Sequence, residues 1–323
     1  MFDMSQFKEF NEPVEGAVIL PMTGDETGVL YIKDAVYAVY ADVQLHLQIL
    51  IPNSKNKPMM PPMPPEIREK FGIPEYTPDF NYPCIVYVPG SAWAKQNVYG
   101  EIGDLSRYVD MGYVVAVVEY RDYDIAPFPA PIVDARNAVR FMKLHAKDFA
   151  VDPERIILTG GSSGGHTAAY AGIFHDDLEV TNLYPGVSGE VKGIVNFYGS
   201  TDFTFPDSNP VSFDVHNKPE SPEGREMGGV DLNEHPELMH KLTVASNITE
   251  ETEIVPMLLI HGTADKVVNC RCSVNLYRKL RECGKDAQLY LMKGSDHGGP
   301  EFYAPRILNI VNDFALRVFG TCK

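Results

Sequence analysis

Arg155–Tyr170 reads RIILTGGSSGGHTAAY: an apolar strand, a turn of glycines and serines, then a helix. A serine on such a turn is held in a strained backbone conformation that lifts its Oγ clear of the sheet. The positions two before and two after it must be glycine, because side chains there would collide. The following helix points its positive N-terminal end at the same place and favours a developing negative charge. Two registers satisfy the G-x-S-x-G spacing: Ser162 between Gly160 and Gly164, and Ser163 between Gly161 and Gly165. Ser162 is preferred, because it follows the strand at the shorter distance and leaves Ser163 as the small residue whose N–H faces the reacting oxygen. The competing reading is a phosphate-binding turn, which calls for a lysine or a GxGxxG pattern; neither is present.

Outward from this turn, short apolar runs alternate with segments of helical period. Strands are expected at 29–39, 43–51, 84–89, 113–119, 155–160, 191–198, 255–261 and 287–293. The central runs are almost continuously hydrophobic, as strands buried on both faces of a parallel sheet are. Helices are expected at 101–111, 130–148, 164–174, 271–283 and 301–318. In 130–148 the apolar residues gather on one side, and Arg136, Arg140 and Lys143 fall largely on the other. The alternation implies an α/β class: about eight mostly parallel strands with helices on both faces. Two stretches break the rhythm. Residues 52–83 carry nine prolines and no helical period, and read as a surface excursion between two strands. Residues 200–250 are polar and interrupted by Pro206, Pro210, Pro219, Pro222 and Pro236. Loops this long within one domain are usually functional or disordered.

A serine hydroxyl is a weak nucleophile until an imidazole takes its proton, and that imidazole needs a carboxylate to hold its tautomer. Downstream, VPMLLIHGTADKVV is a strand whose closing turn carries Asp265, and AQLYLMKGSDHGG is a strand whose loop carries His297. Both loops are expected at the C-terminal edge of the sheet, where open α/β sheets place ligands. Asp202 is the alternative acid. Asp296 adjoins His297 too closely in sequence to hold its ring, and His261 reads as structural. The remaining need is a pair of backbone donors after an early strand. CIVYVPGSAWAKQNVYG at 84–100 supplies Gly90, Ser91, Ala92 and Trp93, small enough at its start to let the backbone approach a substrate oxygen.

Lys and Arg number 28 against 44 Asp and Glu, giving a net charge of −16. That argues against nucleic acid and anionic membranes as partners, since both would be repelled. No apolar run approaches the roughly 18 residues needed to span a bilayer. The N-terminus lacks a basic start and apolar core, so no signal peptide is expected and the expected location is cytoplasmic, or secreted where a leader has been removed. The five cysteines, Cys84, Cys270, Cys272, Cys283 and Cys322, read as free thiols, with no CxxC or Cys/His metal spacing. Neither cofactor nor metal is expected. A homo-oligomer is left open.

The elements PGSAW, VVEYRDYDIAPFPAPIVDARNAVRFM, GGSSGGHTAAY, HGTADKVV and GSDHGG resemble the esterase/lipase branch of the α/β-hydrolases over roughly residues 28–320. The nearest subgroup includes microbial acyl-carbohydrate esterases of the acetyl-xylan and feruloyl types. The resemblance implies Ser162 as nucleophile, Asp265 as acid and His297 as base of a carboxylesterase. Oxyanion-hole N–H groups would come from Ser91, Ala92 and Ser163, and Gly90, Trp93 and Gly161 would line the pocket. The implied substrate is a small-molecule or oligosaccharide ester, with amide hydrolysis by the same triad as the alternative and a non-catalytic binding module as a remote one. One departure stands out: much of the family reads HGGGW where this chain reads Pro89-Gly90-Ser91-Ala92-Trp93, which puts bulky tertiary-alcohol esters in doubt. On the same resemblance the whole chain is one domain, 200–250 is its lid, and the segment 52–83 is an additional cover, with Met59, Met60 and Met63 either lining an acyl pocket or incidental to a surface loop.

Overall fold

The computed structural model describes residues 8–24, 26–60, 63–72, 77–173, 182–205 and 216–320. Eight strands form one sheet: β1 (Thr27–Tyr40), β2 (Val43–Ser54), β3 (Tyr82–Val88), β4 (Val114–Val118), β5 (Val151–Gly161), β6 (Gly193–Phe197), β7 (Met257–Gly262) and β8 (Ala287–Met292). Their spatial order is β1-β2-β4-β3-β5-β6-β7-β8. β2 runs antiparallel to β1 and β4, and every pair from β4 onward is parallel. All eight expected strands are present.

The near-continuous apolar strands are buried on both sides, as their composition requires. Along β3, Cys84, Val86 and Val88 enter one core and Ile85 and Tyr87 the other. β4 repeats the alternation: Val114, Ala116 and Val118 face one way, Val115 and Val117 the other. Such two-sided burial is worth ~1.5–3 kcal/mol for each large aliphatic side chain taken out of water. The first core is closed by α3 (Ala130–Leu144), α4 (Ser163–Ala171) and α7 (Arg271–Glu282), the second by α2 (Ile102–Asp110) and α8 (Pro305–Val318). α8 starts four residues later than the expected 301, because Pro300–Tyr303 forms a separate 3₁₀ turn and Pro305 takes the first helical position, where its missing N–H costs nothing.

Two expectations need correction. Two of the three basic residues of α3 lie in the interior and not on a polar outer face: Arg136 and Arg140 are 2% and 0% exposed. The Arg136 guanidinium donates to the carbonyl of Ala171 at the end of α4, and that of Arg140 to Val187 O and Asn137 Oδ1, so the buried charges are spent on hydrogen bonds. The described part of 52–83 is not without helix, since it holds α1 (Pro65–Phe71), and its two ends join the sheet away from the C-terminal edge. Leu50 pairs with Val115 and Tyr82 with Val151, so β2 leaves and β3 enters at the opposite, N-terminal edge of the parallel strands. Met59 is buried in the first core, whereas Met60 is exposed.

The 200–250 insertion lies between β6 and β7. Its described part carries α5 (Pro222–Glu226), α6 (Pro236–Leu242) and a 3₁₀ turn at Val244–Asn247. Phe203, Leu232 and Leu242 bury Trp93 in a third, smaller apolar cluster. The four described cysteines are free thiols; Cys322 lies outside the described residues. No helix among the described residues is long and apolar enough to cross a membrane.

Candidate active site

β3 sends its connection to β4 on one side and β5 sends its own to β6 on the other, so a crevice opens where their C-terminal ends diverge. Ser162 sits there at φ 55° and ψ −125°, a strained conformation for a residue with a side chain. Its N–H donates to Phe197 O at 3.0 Å, and its carbonyl accepts from the N–H of His166 at 3.1 Å, opening α4. The turn is tight enough to exclude side chains. A Cβ on Gly164 would lie 2.0 Å from Val88 O, and one on Gly160 would lie 2.3 Å from Gly164 O.

His297, in the loop after β8, places Nε2 3.0 Å from Ser162 Oγ and Nδ1 2.8 Å from Asp265 Oδ2. Its ring lies edge-to-face on Tyr198 at 4.8 Å. The Asp265 side chain is wholly buried. Its Oδ1 accepts from the N–H groups of Val267 and Val268, both at 2.8 Å. Burial alone would raise its pKa, but hydrogen bonds from His261 and His297 outweigh that and hold the carboxyl well below the usual carboxylate range. The turn that carries Asp265 is tied to the His297 loop: the Ala264 N–H donates to Ser295 O, and Lys266 donates to the Asp296 carboxylate through both its N–H and its Nζ.

The competing residues lie elsewhere. Asp202 accepts from Thr204 and from Asn275 Nδ2 and does not touch His297. Ser163 is buried at 1% exposure, and its Oγ accepts from the Ser91 N–H at 3.0 Å. That bond corrects the expectation for Ser91, whose N–H is already engaged. Its hydroxyl is engaged too, donating to Ala94 O and meeting Tyr120 Oη at 2.8 Å. The N–H groups of Ala92 and Ser163 have no partner among the described residues. Ala92 and Trp93 both adopt positive φ, 53° and 57°. Of the expected pocket residues, Gly90 and Gly161 are packing positions: a Cβ on Gly90 would meet Gly161 O at 2.7 Å, and one on Gly161 would meet Tyr198 Oη at 2.9 Å. Trp93 is 2% exposed, edge-on to His166 of α4 at 5.1 Å.

Sequence reading missed two parts of this arrangement. The Ser163 hydroxyl is tied to the oxyanion loop, and His261 shares the Asp265 carboxylate with His297. The spacing HGTAD carried the second signal, a histidine four residues before the acid on the same strand end.

Residues 73–280 match the family model described as BD-FAE. This chain belongs to the BD-FAE family. Among curated proteins, this BD-FAE chain is 26% identical over 212 residues to LipM of Mycobacterium tuberculosis, named a probable carboxylic ester hydrolase, covering 64% of the chain and 47% of LipM. It is 27% identical over 220 residues to the esterase LipC of the same organism, covering 67% of the chain and 53% of LipC. The chain thus spans about half the length of these relatives. Among solved structures, a truncated carbohydrate esterase from gut microbiota superposes with a TM-score of 0.70 at 24% identity, covering 93% of this chain and 99% of that one. A bifunctional GH43-CE protein of Bacteroides eggerthii gives 0.68 at 25% identity, covering 92% of this chain and 36% of the other. The sheet order and these neighbours make the fold that of the α/β-hydrolases.

Proposed function

We propose that this chain is a serine carboxylesterase acting on short acyl or aryl esters, with acetyl or feruloyl groups on plant carbohydrates as its natural class of substrate. The observation that carries the reading is the unbroken series Ser162 Oγ, His297 Nε2, His297 Nδ1 and Asp265 Oδ2, with contacts of 3.0 and 2.8 Å. The carbohydrate part rests on the family and on the printed names of the two solved neighbours. The chain is read as one domain, with residues 200–250 as a cap over the crevice and no cofactor in the reaction.

Asp265 fixes the proton on His297 Nδ1, leaving Nε2 to take the Ser162 proton as Oγ attacks the ester carbonyl carbon. The carbonyl electrons move onto the oxygen, which the N–H groups of Ala92 and Ser163 meet. Each such donor is worth ~3 kcal/mol in the transition state. Collapse of the tetrahedral adduct breaks the bond to the alcohol oxygen, which leaves with the proton from His297. Water, deprotonated in turn by His297, then releases the acid and restores Ser162.

The test is hydrolysis of p-nitrophenyl acetate by the wild-type chain and Ser162→Ala. The variant is expected to lose ~10⁴-fold or more in kcat while keeping its fold. Retained activity overturns the reading. A panel of acetyl, butyryl, feruloyl and xylo-oligosaccharide esters with a matched anilide resolves the substrate, and faster turnover of the anilide contradicts the esterase assignment.

A further inference from the structure

Asp265 Oδ2 is shared by two imidazoles. One belongs to His297 at 2.8 Å; the other is His261 of β7, whose Nε2 lies 3.1 Å away. His261 is fully buried, and no step of the mechanism above uses it. Its hydrogen bonds define its tautomer. Nε2 also lies 3.0 Å from the carbonyl oxygen of Val268, which can only accept, so Nε2 must carry a proton. That single N–H is forked between Val268 O and Asp265 Oδ2. The opposite nitrogen, Nδ1, is 2.7 Å from the hydroxyl of Ser273 on α7, which fixes the ring's rotation from behind.

We infer that His261 is a positioning residue for the candidate acid: with Ser273 behind it, it clamps Asp265 Oδ2 where His297 Nδ1 needs it. This rests on the Ser162–His297–Asp265 reading. Without His261, Oδ2 would depend on His297 alone among the described residues, while Oδ1 stays tied to the backbone of Val267 and Val268. The carboxyl plane would then be free to turn about the anchored oxygen. Asp265 lies in the turn that follows β7, and β7 carries His261, so the clamp spans one strand end and holds the acid against a rigid element rather than a free loop. Cys272 on α7 and Tyr198 after β6 also stand close enough to feel the Asp265 charge, but neither donates to it.

The test compares two variants. His261→Gln carries an amide N–H as many bonds from Cβ as imidazole Nε2, so it keeps the donor to Asp265 and loses the bond to Ser273. His261→Leu loses both. Both are assayed on p-nitrophenyl acetate beside Ser162→Ala. His261→Leu is expected to lower kcat by about 10- to 100-fold, in line with a lost hydrogen bond to a charged group, with KM within about twofold. His261→Gln is expected to recover most of that loss. Equal impairment of the two variants, or wild-type kcat in His261→Leu, overturns the inference while an inactive Ser162→Ala leaves the triad reading standing; an active Ser162→Ala overturns the triad reading itself. A second measurement needs no variant. The imidazole ¹⁵N spectrum of the native protein should show the buried His261 protonated at Nε2, and a proton on Nδ1 with a bare Nε2 contradicts the clamp.

Discussion

His166 stands one helical turn beyond Ser162 and works at the other end of the candidate site. Its Nε2 donates to Leu242 O at 2.9 Å, tying α4 to the 200–250 insertion, and its ring packs against Trp93, Tyr170 and Phe203. Burial brings its pKa down to about 4, against a smaller upward push from the Leu242 carbonyl. The unfolded chain takes up this proton near pH 6.5, whereas the folded chain resists until about 4. The sign follows: stability is complete above pH 6.5 and is lost as pH falls toward 4, by up to roughly 3 kcal/mol. Urea denaturation at pH 7.5 and 4.5 should show His166→Gln losing less stability on acidification than the wild type. An identical loss in both would place the acid sensitivity elsewhere. Ser162 poses the opposite problem at this scale, a backbone held at φ 55° by its neighbours rather than by its own side chain.

At the scale of elements, the site is made by strand ends meeting without room to spare. The β3 and β5 turns touch where Gly164 faces Val88 O and Gly90 faces Gly161 O; the β7 and β8 turns touch where a Cβ on Gly262 would lie 2.3 Å from Ser295 O. Gly164→Ala forces backbone against backbone and should cost on the order of 3 kcal/mol, with loss of esterase activity. Gly103, near the start of α2, has nothing within 4 Å of its Cβ direction and no positive φ, so Gly103→Ala should stabilise by ~0.4–1 kcal/mol. Thermal melts of the two variants check the contrast, and a tolerated Gly164→Ala would mean that the turn is looser than its geometry implies. Strands were legible because their apolar runs are buried on both faces, a one-dimensional signal. The α3 arginines were not, since a guanidinium pairing with the carbonyls of Ala171 and Val187 answers to partners distant in sequence.

For the whole molecule, the same division holds. The order of nucleophile turn, acid turn and histidine loop was readable because each follows an apolar strand, and the parallel sheet delivers every such loop to one edge. What the sequence left hidden came from three-dimensional bonding. The Ser91 N–H is taken by Ser163 Oγ, a contact between loops 72 residues apart. Residues 52–83 open from the far edge because β2 runs antiparallel to β4, a direction that composition does not record. Catalysis by this arrangement requires one hydroxyl to be far more nucleophilic than every other in the chain. Intact-mass spectrometry after treatment with a fluorophosphonate, followed by peptide mapping, measures that directly. A single adduct on Ser162, abolished in Ser162→Ala, is the predicted result; no adduct, or one mapped to Ser163 or any other residue, would contradict it.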